Sequence, residues 1–332
     1  MSREPRSVLF LSCDLVGSTQ FKQATPGWQK VFLSFYREFP QFVGRRNEDA
    51  EAHGEPQELR LWKAVGDELI FEVVVRSEAQ VARAVRVWLE AMEAYQAQTL
   101  HSEAVTRTLG VKGGAFIATF PGPDSESTIP RNPGREDEDA DVILLNDEAL
   151  EAEPDHRSFL YDYFGPSIDI GFRLLGQASL RHFTMSVEVA WALARVEYDA
   201  RVDRAVSGLR SRFDDVVYLG DPQLKGVWSG RGYPVFAIDR GHDDDVNKAM
   251  AELTGPGLDP ERALRLCNAC QEYEGWPGAV YLPDSRDARA RRAPGDAMQK
   301  LRSAAASDQG AESPPGSGEE EGEPLAKDVP LD

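Results

Sequence analysis

Residues 8–11 form an unbroken apolar run, Val-Leu-Phe-Leu, and three residues beyond it stands a carboxylate, Asp14, followed by Leu15, Val16 and Gly17-Ser18-Thr19. A run this short, with β-branched and aromatic members, reads as a buried strand. Asp14 then stands at the carboxyl end of that strand. An Asp before Gly-Ser-Thr serves most often as a helix cap or turn residue, and otherwise as a ligand.

With 332 residues, 41% hydrophobic and 28% charged, the chain can bury one sizeable core with a small appendage. No apolar run approaches the roughly 20 residues of a membrane helix, and the start MSREPRSVLF has no signal-peptide apolar segment. A soluble, cytoplasmic protein is expected. Cys13, Cys267 and Cys270 are too few for a disulfide framework. The net charge of -19 speaks against nucleic acid or a membrane surface as partner, since no excess of cations exists to displace phosphate counterions. A small anionic substrate met locally by metal ions stays open.

Several elements follow from pattern. Trp28–Gly44 is amphipathic, with Pro40 expected to limit or kink it. Leu59–Ala64 and Leu69–Val75 read as a hairpin joined through Val65-Gly66-Asp67-Glu68. Residues 77–100 have helical periodicity, 105–120 form a strand with internal glycines, 167–180 a helix, and 216–239 a last hairpin-like pair. Helices interleaved with hairpins predict an α+β fold, helices packed on a largely antiparallel sheet. The expected division is a domain over 1–240 containing an acidic insert loop (121–157), a helical extension over 241–303 and a disordered acidic tail over 304–332.

Two further stretches carry chemistry. In "LWKAVGDE" Asp67 occupies the hairpin turn, ordinary turn chemistry taken alone. If its strand neighbours the first, Asp67 meets Asp14, and two carboxylates share an edge more readily with divalent cations between them. In "YDYFGPSIDIGFR" a Gly-Pro turn starts a helix on which Asp169 and Arg173 lie one turn apart, the spacing of a surface ion pair. Cys267-Asn-Ala-Cys270 has no second pair and sits in a helix-like stretch, so it is read as packing rather than as a zinc or redox site. The five histidines show no ligand spacing. Lys225 is read as a solvated lysine, with a phosphate contact as the alternative.

In this order and at these separations the three stretches resemble the catalytic domain of class III adenylyl and guanylyl cyclases, over about Val8–Arg240. The resemblance implies a ferredoxin-like α+β domain working as a homodimer with composite active sites. It implies two Mn²⁺ or Mg²⁺ ions per site, held by Asp14, the Leu15 main-chain carbonyl and Asp67. Gly17, Ser18 and Thr19 would cradle the triphosphate, Lys63 and Asp162 would contact the base, and Arg173 and Asp169 would complete the catalytic set. The family usually has Asn where this chain has Asp169, which can accept but not donate a hydrogen bond when ionised.

Ring closure of a nucleoside triphosphate needs in-line attack of the 3′ hydroxyl on the α-phosphorus with loss of pyrophosphate, a reaction suited to two hard cations. The Lys63–Asp162 pair fits adenine, cytosine, or uracil with donor and acceptor exchanged. The wording "LWKAVGDELIF" with "GPSIDIGFR" is similar to the pyrimidine cyclases of the bacterial Pycsar anti-phage system. That resemblance implies UTP as substrate, cyclic UMP as product and a separate effector that senses it, with CTP or ATP as alternative substrates. An inactive cyclase-like nucleotide-binding or dimerisation module is the reading of another class.

Overall fold

The computed structural model describes residues 4–51, 57–102, 104, 106–132, 134, 141–202, 213–254 and 258–311. Strand β1 (Arg6–Val16) carries the opening run and is an interior strand of a sheet that has eight strands among the described residues. The other strands are β2 (Arg60–Val65), β3 (Glu68–Val75), β4 (Gly110–Lys112), β5 (Gly114–Phe120), β8 (His182–Met185), β9 (Val216–Gly220) and β10 (Val235–Asp239). Their order is β2-β3-β1-β5-β8-β10-β9, with β4 continuing β5 alongside β1. Among the described residues only the β5–β8 pairing is parallel. The fold is therefore α+β with a largely antiparallel sheet and helices packed on it, as the patterning predicts.

The alternation along β1 shows why. Leu9, Leu11, Cys13 and Leu15 point into a core shared with α2 (Gln29–Glu51), α3 (Glu78–Tyr95) and α6 (Val187–Val202). Val8 and Phe10 point to the other face, into a second cluster beneath α5 (Pro166–Leu175) and a separate hairpin of β6 (Ser125–Pro130) and β7 (Phe159–Phe164). Both faces are covered as far as Leu11, so the run is continuous there; beyond it one face turns polar and Ser12 and Asp14 appear. The Trp88 indole of α3 donates to the Ser12 carbonyl at 2.9 Å, tying this stretch of β1 to the helix layer.

Several expectations are corrected. Pro40 does not end α2, which runs on to Glu51, its buried-side Phe35, Phe39 and Phe42 packing tilted or edge-on against Trp88 and Tyr95. The insert holds structure: β6, and α4 (Val142–Glu151), whose N-cap Asp141 accepts from the amides of Ile143 and Leu144. The helix expected over 167–180 stops at Leu175. The extension contains α7 (Asp245–Thr254) and α8 (Pro260–Gln271), and α9 (Gln299–Ala311) continues past residue 304, where the tail was expected to begin; residues 312–332, like His53, lie outside the described residues. Cys267 and Cys270 face the core from α8. Among the described residues no helix is long and apolar enough to cross a membrane.

Helix α6 brings a buried carboxylate with it. Glu188 is 3% exposed and accepts from the Trp276 indole at 3.0 Å, and burial pushes its carboxyl above the usual glutamate range, against the lowering effect of its hydrogen bonds. A folded pKa raised above the unfolded one means the native state binds the proton more tightly, so this group's contribution falls as pH rises from about 4.5 through the raised value. Glu188→Gln keeps the acceptor and removes the titration. Its stability advantage over wild type, from urea unfolding at stepped pH, should therefore grow with pH by up to about 1.4 kcal/mol per unit within that window. A pH-independent difference would show that Glu188 does not titrate as its burial requires.

Candidate active site

The β2–β3 turn is the tight one that the sequence suggests. Gly66 takes φ +63, a conformation open to glycine at little expense, and Asp67 follows it. Because β3 pairs antiparallel with β1 in the register Asp14↔Glu68, the turn brings Asp67 against the end of β1, and the Leu15 amide donates to the Asp67 carbonyl at 3.4 Å. Asp14 and Asp67 are thus neighbours. The Asp14 carboxyl is pushed up to about 6, first by burial and then by the charges of Asp67 and Glu68, with Lys112 pulling the other way. Ser12 holds Glu68 through a hydroxyl hydrogen bond.

Each aspartate faces a lysine. Lys112 on β4, opposite Asp14 in the register, has its ammonium 3.5 Å from the Asp14 carboxylate, and Lys22 reaches Asp67 at 3.7 Å from α1 (Ser18–Ala24). Tyr36 of α2 donates to the Gly66 carbonyl at 2.6 Å, and its hydroxyl is pushed up by burial and by Asp67. Sequence reasoning missed these three. A signal existed for Lys112, the lone charge in the otherwise apolar or small stretch 109–120. Gly17 precedes α1 at φ +83, Ser18 is buried and Thr19 exposed.

A second group lies on the same face as the Phe10 cluster. Lys63 donates to both oxygens of Asp162 at 2.7 and 2.8 Å, and its ammonium lies 4.0 Å from the centre of the Trp62 ring and 6.0 Å from that of Phe172. Trp62 in turn touches Phe10 and Tyr163, which fixes β2 against β7. Next to Phe172, Arg173 donates to the main-chain carbonyls of Asp169 (2.7 Å) and Lys225 (2.5 Å). The Asp169 side chain is 72% exposed, its carboxylate 3.9 Å from the Arg173 guanidinium. Helix α5 can sit this low because Gly171 packs on the Phe116 ring, where an added Cβ would come within 2.5 Å. Lys225 is brought beside Arg173 by the β9–β10 connection.

Three pairs are therefore assembled: Asp14 with Asp67, Lys63 with Asp162, and Asp169 with Arg173. Among the described residues no hydrogen bond or ion pair joins the first to the other two. Nor do three acidic, histidine or cysteine side chains converge into a ready metal-ligand cluster. The two aspartates still suit a hard divalent cation: their oxygens are the right donors, and the Asp14 charge, disfavoured first by burial and then by Asp67 and Glu68, would be favoured by a cation beside it. Remaining coordination would fall to the Leu15 carbonyl, water and phosphate oxygens.

No family profile and no curated relative matches the chain. Among solved structures it is similar to the adenylyl cyclase CyaB from P. aeruginosa (10% identity, 71% of this chain and 94% of that one, TM-score 0.42). It is also similar to the guanylate cyclase domain of RhGC from Catenaria anguillulae in complex with GTP (11% identity, 72% and 100%, TM-score 0.41). A bacterial light-regulated adenylyl cyclase aligns at 10% identity over 75% of this chain and 99% of its own, with TM-score 0.43. At scores and identities this low, likeness establishes neither family nor activity.

The charges around Asp14 give a direct test. Lys112→Met removes the main cation opposing burial and should raise the Asp14 pKa above about 6, whereas Asp67→Asn removes a like charge and should lower it. Side-chain carbon NMR titration in divalent-free buffer, with Asp14→Asn for assignment, reads both. Shifts of the opposite signs, or none, would mean that these groups do not face one another.

Proposed function

We propose that this chain is a metal-dependent nucleotidyl cyclase whose catalytic unit spans residues 1–240, with 241–303 as an extension. The observation that carries the reading is the meeting of Asp14 and Asp67 at one sheet edge, with the Asp14 carboxyl driven up to about 6 by burial and like charge. Two Mg²⁺ or Mn²⁺ ions bound there would neutralise the triphosphate and acidify the attacking 3′ hydroxyl. The chain's own residues do the rest. Lys22 and Lys112 can turn from the carboxylates to phosphate oxygens, and the turn at Gly17, Ser18 and Thr19 borders the same edge. Arg173 offers its guanidinium, and Lys225 its ammonium, to charge building on the reacting phosphate as pyrophosphate and a proton are released.

Lys63 and Asp162 would read the base. In the free pair the lysine spends two donors on Asp162, and Asp162 also accepts from the Tyr163 amide at 2.8 Å. A base edge would take the remaining ammonium donor and a carboxylate lone pair. For uracil these meet O4 and N3–H, for cytosine N3 and the amino group, and adenine offers the same pattern as cytosine. The wording of the motifs favours UTP and cyclic UMP, made as a second messenger in anti-phage defence and sensed by a separate effector. Asp169 favours a second reading, a module that binds nucleotide without turning it over: a carboxylate 72% exposed and 3.9 Å from Arg173 is poorly placed to replace a donating Asn.

Incubating the full chain with each ribonucleoside triphosphate and Mn²⁺, with products identified by mass, separates these readings. A cyclic nucleotide and pyrophosphate are expected with UTP, and binding without product would establish the module. Asp14→Ala and Asp67→Ala should each abolish turnover with circular dichroism unchanged; near-normal activity in either would remove the metal assignment.

The lack, among the described residues, of a hydrogen bond or ion pair joining Asp14 and Asp67 to Lys63, Asp162 or Arg173 is compatible with sites shared across a two-fold homodimer. Asp67→Ala and Arg173→Ala, each inactive alone, should then regain part of wild-type activity when mixed, because heterodimers carry one intact site. No recovery despite demonstrated subunit exchange would leave each chain to build its site alone.

A further inference from the structure

The hairpin that carries Asp162 is a two-stranded sheet on its own, an arrangement that is marginal in water without outside support. On one side Tyr163 supplies support by packing on Phe10, Trp62 and Phe120. On the other side stands α4. Asn146 of α4 accepts from the Thr128 amide at 2.8 Å and from the Thr128 hydroxyl at 3.1 Å, and donates to the Glu126 carbonyl at 3.2 Å, so one side chain grips β6 on both sides of Ser127. Ser127 is the register partner of Asp162. Yet α4 has no fully buried residue, its apolar side chains Ile143, Leu144, Leu145 and Leu150 being half-buried, so core packing holds it less firmly than it holds the other helices of the domain.

It is also tied to a segment far along the chain. The next residue, Asp147, receives two hydrogen bonds from Arg302 of α9, at 2.5 and 3.3 Å, and Arg302 also pairs with Asp296. Just before α9 the Ala297 amide donates to the Pro121 carbonyl at 3.3 Å, at the root of the same hairpin. The C-terminal segment thus touches both the helix that grips β6 and the turn from which β6 starts.

We propose that residues 295–311 brace the Asp162 hairpin, with Asp147 and Arg302 as positioning residues for the Lys63–Asp162 pair. The structural part stands on the contacts above; its effect on the nucleotide rests on the reading of that pair as base-contacting. A bidentate carboxylate–guanidinium pair fixes direction as well as distance, which suits it to orienting a half-buried helix. Loosening it should leave the metal-side carboxylates alone and blur only the hold on the base.

Asp147→Ala and Arg302→Gln in the full chain should each raise KM for the accepted triphosphate about five- to tenfold while kcat stays within about twofold, and Asp147→Glu should stay close to wild type. Amide hydrogen exchange should quicken in α9 and in β6 and β7 together. If α9 alone quickens, or if kcat falls in step with folded fraction while KM holds, the brace does no positioning and the proposal fails. Should the wild-type chain turn over no nucleotide, the cyclase reading falls, and the exchange comparison still decides whether the hairpin is braced.

Discussion

The structure depends on β1 being covered on two faces for half its length and on one face for the rest. Its first apolar residues lock the strand between two clusters, so it cannot slide: a one-residue slip would send Phe10 to the helix side and Leu11 to the other. That fixed register is what places Asp14 opposite Glu68 on one side and Lys112 on the other. The chemistry at the strand end is thus inherited from packing about four residues upstream, and the Trp88 bond to the Ser12 carbonyl holds the transition between the two regimes.

What was legible in the sequence follows the same division. β1, the β2–β3 hairpin and the helices after them show one-sided patterns or turn residues, and they were found with ends off by a few residues. Helix α6 was missed because it is apolar nearly all round, Val187 to Val196 being buried with few breaks, so no amphipathic stripe marks it. The β6–β7 hairpin was missed for the opposite reason. β6 is mostly polar and lies within the acidic insert, β7 is rich in aromatics yet has no fully buried residue, and the pair is supported by side chains distant in sequence rather than by its own pattern.

The site divides likewise. Asp14 and Asp67 were readable as a possible pair because each sits at a local punctuation point and only the adjacency of two strands was needed. The Lys63–Asp162 contact spans 99 residues, and no local rule joins them; the family resemblance suggested their roles but not that they would bind each other. Lys22 and Lys112 escaped because a lysine on a helix or strand reads as solvated surface until the carboxylate across from it is known.

Those lysines also bear on how a chain of net charge -19 could hold a triphosphate. Their side chains are only 33% and 28% exposed, and the aspartates they face 20% and 24%, so these pairs are less screened by salt than fully exposed ones. Under the cyclase reading, a phosphate that draws Lys22 and Lys112 away leaves Asp14 and Asp67 uncompensated, which raises their affinity for a divalent cation. By linkage, a cation bound first frees the lysines and raises affinity for the phosphate by the same factor. Nucleotide and metal would then bind cooperatively through charges already present at the strand end, without any large movement of the sheet, and the global negative charge would matter little within a Debye length of the site.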